Sequence, residues 1–205
     1  MTLDDVLPLF SARLDKIIHP PASPSYSDYD LSQERPDQPT LKQAAVLVAL
    51  IARDHGLNVI LTRRSGHLPT HAGQIAFPGG RCEASDKDVG ATALREAYEE
   101  VGLDPQHVTL LGVSDAYETV TRFAVTPVVA LVSLQASFKP DPSEVDEIFE
   151  VPLAFLMDPA NHHPQSREYN GIARQFYAMP YGDYYVWGAT AGMLRALYLR
   201  VFAAC

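Results

Sequence analysis

Cysteine is nearly absent from this chain of 205 residues: Cys82 and Cys205 lie far apart and form no C-x-x-C or zinc-type spacing. That excludes a disulfide framework and a structural zinc cluster, and a reducing compartment is the simplest expectation. Cys82 has no basic cluster beside it and reads as a spectator thiol. Positive charge is also scarce, with 16 Lys and Arg against 25 Asp and Glu for a net charge of −9. Such a balance argues against a general nucleic-acid or anionic-membrane surface. Long apolar runs are missing as well: the longest, Ala44 to Ala52, is too short to span a bilayer. The opening Met-Thr-Leu-Asp-Asp has no basic segment of the kind that starts a secretory signal. A cytoplasmic, soluble protein without nucleic-acid or membrane partners is expected.

What is present suffices for one globular domain and a modest extension, since 47% of the residues are hydrophobic. Residues 3–18 carry apolar positions at helical spacing, with Asp4 and Asp5 in the first turn, and predict a short amphipathic helix interrupted or kinked near Pro8. Residues 19–40 contain Pro20, Pro21, Pro24, Pro36 and Pro39 and read as an irregular arm. The sequence leaves open whether this extension, residues 1–40, packs on the main domain or on a second copy in a homodimer. Residues 41–205 form the domain proper. The run from Ala44 to Ala52 predicts a buried strand, a turn at Asp54-His55-Gly56 leads into a second strand over 58–63, and 73–77 predicts a third. Strands are expected again over 108–114, 123–134, 169–179 and 184–187. Residues 144–150 read as an acidic loop, 152–157 as one helical turn and 188–202 as a closing helix. Mixed strands with one helix in the middle and one at the end give an α/β/α sandwich.

The middle helix carries the chemistry. On a helix Glu96, Glu99 and Glu100 fall within one arc, and Ala91, Leu94, Tyr98 and Val101 on the opposite one, predicting an acidic roof over an apolar floor. Carboxylates three and four residues apart repel one another. They also stand at the C-terminal end, closed by Gly102, where the helix dipole disfavours anions. A cation should compensate. Arg95 can cover part of the charge, and three carboxylates on one turn form the hard-oxygen set that Mg²⁺ or Mn²⁺ prefers. Pro78-Gly79-Gly80, just upstream, is a tight turn through which backbone can approach a ligand.

The stretch from Gly80 to Leu103 resembles a Nudix box, G-x5-E-x7-R-E-U-x-E-E-x-G-U with U aliphatic. Arg95, Glu96, Ala97, Glu99, Glu100, Gly102 and Leu103 match its second half. In the first half Gly80 stands fifteen residues before Arg95 instead of fourteen, so either Asp86 or Glu83 takes the place of the lone acid. The preceding residues 61–80 resemble the added signature of the coenzyme A diphosphatase subgroup, L-L-T-x-R-S-x3-R-x3-G-x3-F-P-G-G. The match lies at Leu61, Thr62, Arg64, Ser65, Gly73 and Phe77 to Gly80, with Ile60 and Pro69 as departures; Pro69 replaces an expected Arg. With the stretch Trp187 to Ala191, the resemblance covers most of 41–205.

This resemblance implies a Nudix-type α/β/α sandwich with a mixed sheet and metal-dependent hydrolysis of a coenzyme A-like nucleotide at its diphosphate. Other nucleoside diphosphate derivatives, such as ADP-ribose, a dinucleoside polyphosphate or an oxidised nucleotide, are the near alternatives, and a non-catalytic nucleotide-binding module the distant one. Glu96, Glu99 and Glu100 are the expected ligands of Mg²⁺ or Mn²⁺, with Glu99 and Glu100 catalytic and Arg95 orienting them. The base is a box glutamate or one of Glu144 and Glu147, of which Glu147 is the preferred candidate. Arg63, Arg64, Gly79 and Gly80 are expected to bind substrate, the two arginines facing opposite ways at a strand end. His67 and His71 read as polar loop residues, and Tyr117, Phe123 and Tyr184 as core aromatics that can alternatively stack on a base.

Overall fold

A computed structural model describes residues 1–17, 23–31, 40–169 and 172–203; most of the Pro-rich arm, Ile18 and Cys205 lie outside the described residues. In chain order the elements are α1 (Leu3–Arg13), β1 (Tyr26–Ser27), β2 (Lys42–Arg53), β3 (Gly56–Arg64), β4 (Ile75–Ala76), β5 (Gly79–Arg81), α2 (Val89–Val101), β6 (Val108–Val113) and β7 (Tyr117–Glu118). There follow β8 (Phe123–Val132), β9 (Val145–Pro152), α3 (Leu153–Leu156), β10 (His163–Tyr169), β11 (Ile172–Tyr181), β12 (Tyr184–Trp187) and α4 (Ala189–Val201).

The long apolar strand β2 is central because both of its faces are covered. Ala45, Leu47, Ala49 and Ile51 pack with Ala93, Ala97 and Val101 of α2. Val48 and Leu50 point the other way, into a cluster with Leu194, Leu197 and Val201 of α4, Leu153 of α3 and Val6 and Phe10 of α1. Strand β2 pairs in parallel with β8 and antiparallel with β3 and β5. Among the described residues this mixed sheet has nine strands, with β9 beyond β3 and β7 and β1 beyond β8. A separate antiparallel sheet, β10-β11-β12, lies against α4. The architecture is the expected α/β/α sandwich.

Two local expectations are corrected. Residues 145–152 form a strand and not a loop: Val145, Phe149 and Val151 are buried while the charges between them reach the surface. The dense acids hid that alternation. Residues 163–169, for which the sequence suggested no element, form a strand that pairs along its length with β11. Helix α1 runs through Pro8 without interruption, and ends at Arg13 instead of 18. Its start is fixed by a capping box between Thr2 and Asp5, and beyond it Asp15 exchanges backbone hydrogen bonds with Val113 of β6. That extended bridge satisfies backbone groups which another helical turn would have used.

Helix α1 is held to α4 from both directions. Arg13 donates to the Val201 carbonyl at 2.8 Å, Arg200 donates to the Arg13 carbonyl at 2.6 Å, and Arg200 also pairs with Asp15 and Asp115. Between them Phe10 is 1% exposed and meets Phe202 edge-on, the ring centres 6.1 Å apart. Phe10→Ala is expected to cost about 3–5 kcal/mol and lower the melting temperature by about 10 °C. Thermal unfolding measures this, and an unchanged melting temperature would mean that α1 contributes no core.

Candidate active site

The site begins where β5 passes beneath α2. A Cβ on Gly79 would lie 2.5 Å from the Ala45 carbonyl oxygen and 2.6 Å from Val46 Cα, and one on Gly80 would lie 2.5 Å from Glu96 Oε2. At Gly79 only glycine permits so close an approach of strand to sheet, whereas a side chain at Gly80 would have to displace the Glu96 carboxylate. The approach also aims a backbone donor: the Gly79 N–H reaches Glu100 Oε2 at 3.0 Å.

Helix α2 starts where Asp88 accepts from the Ala91 N–H at 2.8 Å and ends at Gly102, whose φ of 66° is left-handed. Its buried stripe runs through Val89, Ala93, Ala97 and Val101. This corrects the expected floor, for Tyr98 is 58% exposed while Glu100 is 3% exposed. The buried stripe passes between the acids, so Glu100 and Glu96 turn inward along its edge and Glu99 remains outside. Small residues at 93 and 97 let the helix sit low enough to bring both carboxylates against β5.

Arg95 uses all five of its N–H groups. Nε and Nη2 grip the two Asp86 oxygens at 3.1 and 3.0 Å, Nη1 donates to Glu96 at 2.8 Å and Glu99 at 3.1 Å, and Nη2 also reaches the Arg81 carbonyl at 3.0 Å. Asp86, further bonded by the Thr92 hydroxyl at 2.8 Å and by the Glu83 N–H at 2.9 Å, is therefore the acid that pairs with Arg95, whereas the Glu83 carboxylate accepts from the Ser85 hydroxyl at 3.4 Å. The Arg95 guanidinium holds the Asp86 carboxyl down at about 2.

Burial works the other way on Glu100. Removal from water pushes its pKa up to about 7, against which the Gly79 N–H and Arg64 pull only partly. Glu96 is raised for the same reason. Arg64 Nη1 lies 3.6 Å from Glu100 Oε1, and Glu144 is near enough to repel the charges of both Glu96 and Glu100. Among the described residues no three His, Cys, Asp or Glu side chains form a finished ligand cluster. The trio is shared out instead: Glu96 and Glu99 to Arg95, Glu100 to Gly79 and Arg64. Carboxylate oxygens alone, one of them buried beside a neighbouring carboxylate, fit a hard divalent cation.

The expected pair of arginines separates across β3. Arg64 faces α2; Arg63 faces the opposite side, where its Nε meets Glu147 at 3.1 Å and its guanidinium lies over Tyr184. Tyr184 stacks on Phe149 with ring centres 3.7 Å apart and donates to Glu147 Oε1 at 2.7 Å. Glu147 therefore belongs to this second group and is not brought to the box carboxylates. The acid that is brought there is Glu144, because the ladder between β3 and β9 shifts register after Arg63↔Glu147 and the Ser65 N–H takes the Glu144 carbonyl at 2.8 Å. A bulge leaves no trace in residue spacing. His67 and His71 are exposed in the loop, with His71 paired to Gln74 at 2.8 Å. Tyr117 is buried and donates to Asp28, while Phe123 lies beneath Lys42.

Two substitutions report on this arrangement. Asp86→Asn is expected to lower the melting temperature, since it leaves Arg95 without its bidentate partner, whereas Glu83→Gln leaves it nearly unchanged; equal effects would remove Asp86 from that role. For Glu100, the folded value of about 7 lies above the ordinary 4.5. The folded chain thus keeps a proton that the unfolded chain releases in that window, and Glu100 subtracts stability as pH rises through it. In EDTA, Glu100→Gln should gain more over wild type near pH 8 than near pH 5, by on the order of 1–3 kcal/mol. An equal gain at both pH values would contradict the buried charge.

The family model described as NUDIX domain matches residues 41–170. The chain is 38% identical over 160 residues, 78% of its length and 83% of the relative's, to a protein of Enterobacter sp. (strain 638) called "Uncharacterized Nudix hydrolase NudL". The protein of the same name from Escherichia coli O1:K1 / APEC is 40% identical over the same shares. Among solved structures, a C. elegans Ap4A hydrolase in a binary complex is similar with a TM-score of 0.47 at 19% identity, covering 54% of this chain and 80% of that one.

Proposed function

This chain belongs to the Nudix family of hydrolases, which act on pyrophosphate bonds, and from that premise we propose that its substrate is coenzyme A or a coenzyme A derivative, cleaved to 3′,5′-ADP and 4′-phosphopantetheine with Mg²⁺ or Mn²⁺ as the cation. The observation that carries this reading is the signature upstream of the box, which ends β3 with Arg64 facing Glu100 and re-enters at Gly79 and Gly80.

In this reading Glu96, Glu99 and Glu100 hold the cation. When bound, it neutralises charge on the diphosphate and lowers the pKa of the attacking water. The chain's own residues do the rest. Arg95 fixes Glu96 and Glu99, and the glycines keep the wall beside Glu96 and Glu100 free of side chains. Water adds to one phosphorus, the bond from that phosphorus to the bridging oxygen breaks, and the bridging oxygen leaves on the other product. The water's proton goes to a box glutamate or to Glu144, which the strand pairing brings beside the box carboxylates. Glu147, occupied by Arg63 and Tyr184 on the far face, is set aside as the base, and Arg63 as a first choice for phosphate. The extension of residues 1–40 serves packing in this proposal, since its Val6 and Phe10 lie in the core.

Pro69, standing where the subgroup has Arg, takes away one phosphate contact and favours a second reading, another nucleoside diphosphate derivative such as ADP-ribose. The two separate on a substrate panel with product identification. The 3′-phosphate distinguishes coenzyme A from other ADP derivatives, and a charge-assisted contact is worth about 1.5–3 kcal/mol, or about tenfold to a hundredfold. Arg64→Ala is therefore expected to lower the preference for coenzyme A over its 3′-dephospho form by that factor in kcat/KM, and Arg63→Ala to lower it less. An unchanged ratio in Arg64→Ala removes the residue from substrate recognition, and ADP-ribose turned over far faster than coenzyme A by the wild type overturns the substrate.

A further inference from the structure

We infer that Arg64 is the resident counter-ion of Glu100, that a divalent cation competes with it for Glu100 Oε1, and that cation binding releases the Arg64 guanidinium toward a substrate phosphate. The inference rests on the cation reading above and adds an order to it, cation before nucleotide.

The two oxygens of Glu100 are not equivalent. Oε2 is fixed by the Gly79 N–H at 3.0 Å, while Oε1 faces Arg64 Nη1 at 3.6 Å. That separation is too long for a hydrogen bond, so the buried charge is balanced by a nearby cation that does not saturate the oxygen. Arg64 is equally incomplete: its Nε is buried with no hydrogen-bond partner among the described residues. The three arginines around the site differ sharply here. Arg95 has all five donors engaged, and Arg63 is tied to Glu147 at 3.1 Å. Among the described residues the Arg64 side chain makes no hydrogen bond, and its one ion pair is the long contact to Glu100.

Only the side chain of Arg64 has freedom to respond. Its N–H donates to the Gln74 carbonyl at 2.9 Å, its carbonyl accepts from Gly73 at 3.0 Å, and its strand is paired to β9 at Val145. A divalent ion on Oε1 would supply Glu100 with a stronger partner and repel the guanidinium, which then has unsatisfied donors to present to an anion. The reverse order is disfavoured. An anion that drew Arg64 away first would leave a buried carboxylate next to Glu96 and Glu144 with its positive partner gone. Cation and anion affinities are thus coupled through one side chain, and the coupling is reciprocal.

The test is Mn²⁺ binding by calorimetry, near neutral pH and without nucleotide, to the full-length chain and its Arg64→Ala, Arg63→Ala and Glu100→Gln variants. It is joined by the Arg64 Nε–H resonance followed by nitrogen-15 NMR as Mg²⁺ is added. Removing the competitor should tighten Mn²⁺ binding by about tenfold or more, the factor of one charge-assisted contact. Arg63→Ala, which removes the same charge from the other face, should leave binding little changed. The Arg64 resonance should shift with Mg²⁺ alone. Wild-type affinity in Arg64→Ala, an equal gain in Arg63→Ala, or a resonance indifferent to Mg²⁺ overturns the competition while the cation site stands. Wild type that fails to bind Mn²⁺, or Glu100→Gln that binds it equally well, overturns the cation site and the competition with it.

Discussion

The arrangement depends on the engagement of Arg95 with four acceptors at once. Three carboxylates within five residues, near the negative end of a helix, would repel one another and splay. One guanidinium instead draws Glu96 and Glu99 to a single nitrogen while its other edge is clamped by Asp86 from the preceding loop. The fork geometry is what makes this work, since an ammonium could not hold a carboxylate with two bonds and still reach two others in fixed directions. The loop is thereby folded back onto the helix, and the acidic turn is tied to it through one side chain.

Glu100 is the exception to this neutralisation. It lies outside Arg95's reach, is the most buried of the three carboxylates, and has its pKa raised to about 7 by that burial. Its position follows from two sets of small residues. Ala93 and Ala97 lower the helix onto β2, and Gly79 and Gly80 lower the chain onto the helix edge. A carboxylate so placed costs stability, and the structure tolerates it by arranging a backbone donor and a distant arginine around it. Such incompletely satisfied groups concentrate where a ligand completes them.

The central strand, the hairpin, the box helix and the closing helix were legible in the sequence because each rests on local signals: a continuous apolar run, a turn after Asp54, an apolar stripe ended by Gly102. The box carboxylates and Arg95 were legible because helical spacing alone places them together. The opposed directions of Arg63 and Arg64 followed from strand geometry. What could not be read depended on register and burial. The inward turn of Glu100 and the exposure of Tyr98 reverse the apparent roof and floor, because alanines count little in a hydrophobic pattern yet occupy the contact. The exchange of Glu147 for Glu144 depends on a bulge between β3 and β9, and the choice of Asp86 over Glu83 depends on how the loop folds against Arg95.

The central claim is that this acidic turn is a cation site held open by Arg95 and guarded by Arg64. Diffraction from Mn²⁺-soaked crystals, recorded at the manganese edge, tests it most directly. An anomalous peak is expected about 2 Å from Glu100 Oε1 and from a Glu96 oxygen, with Arg95 still clamped on Asp86 and Arg64 turned away from Glu100. A peak elsewhere, or one at this turn with Arg64 still lying against Glu100, would contradict it.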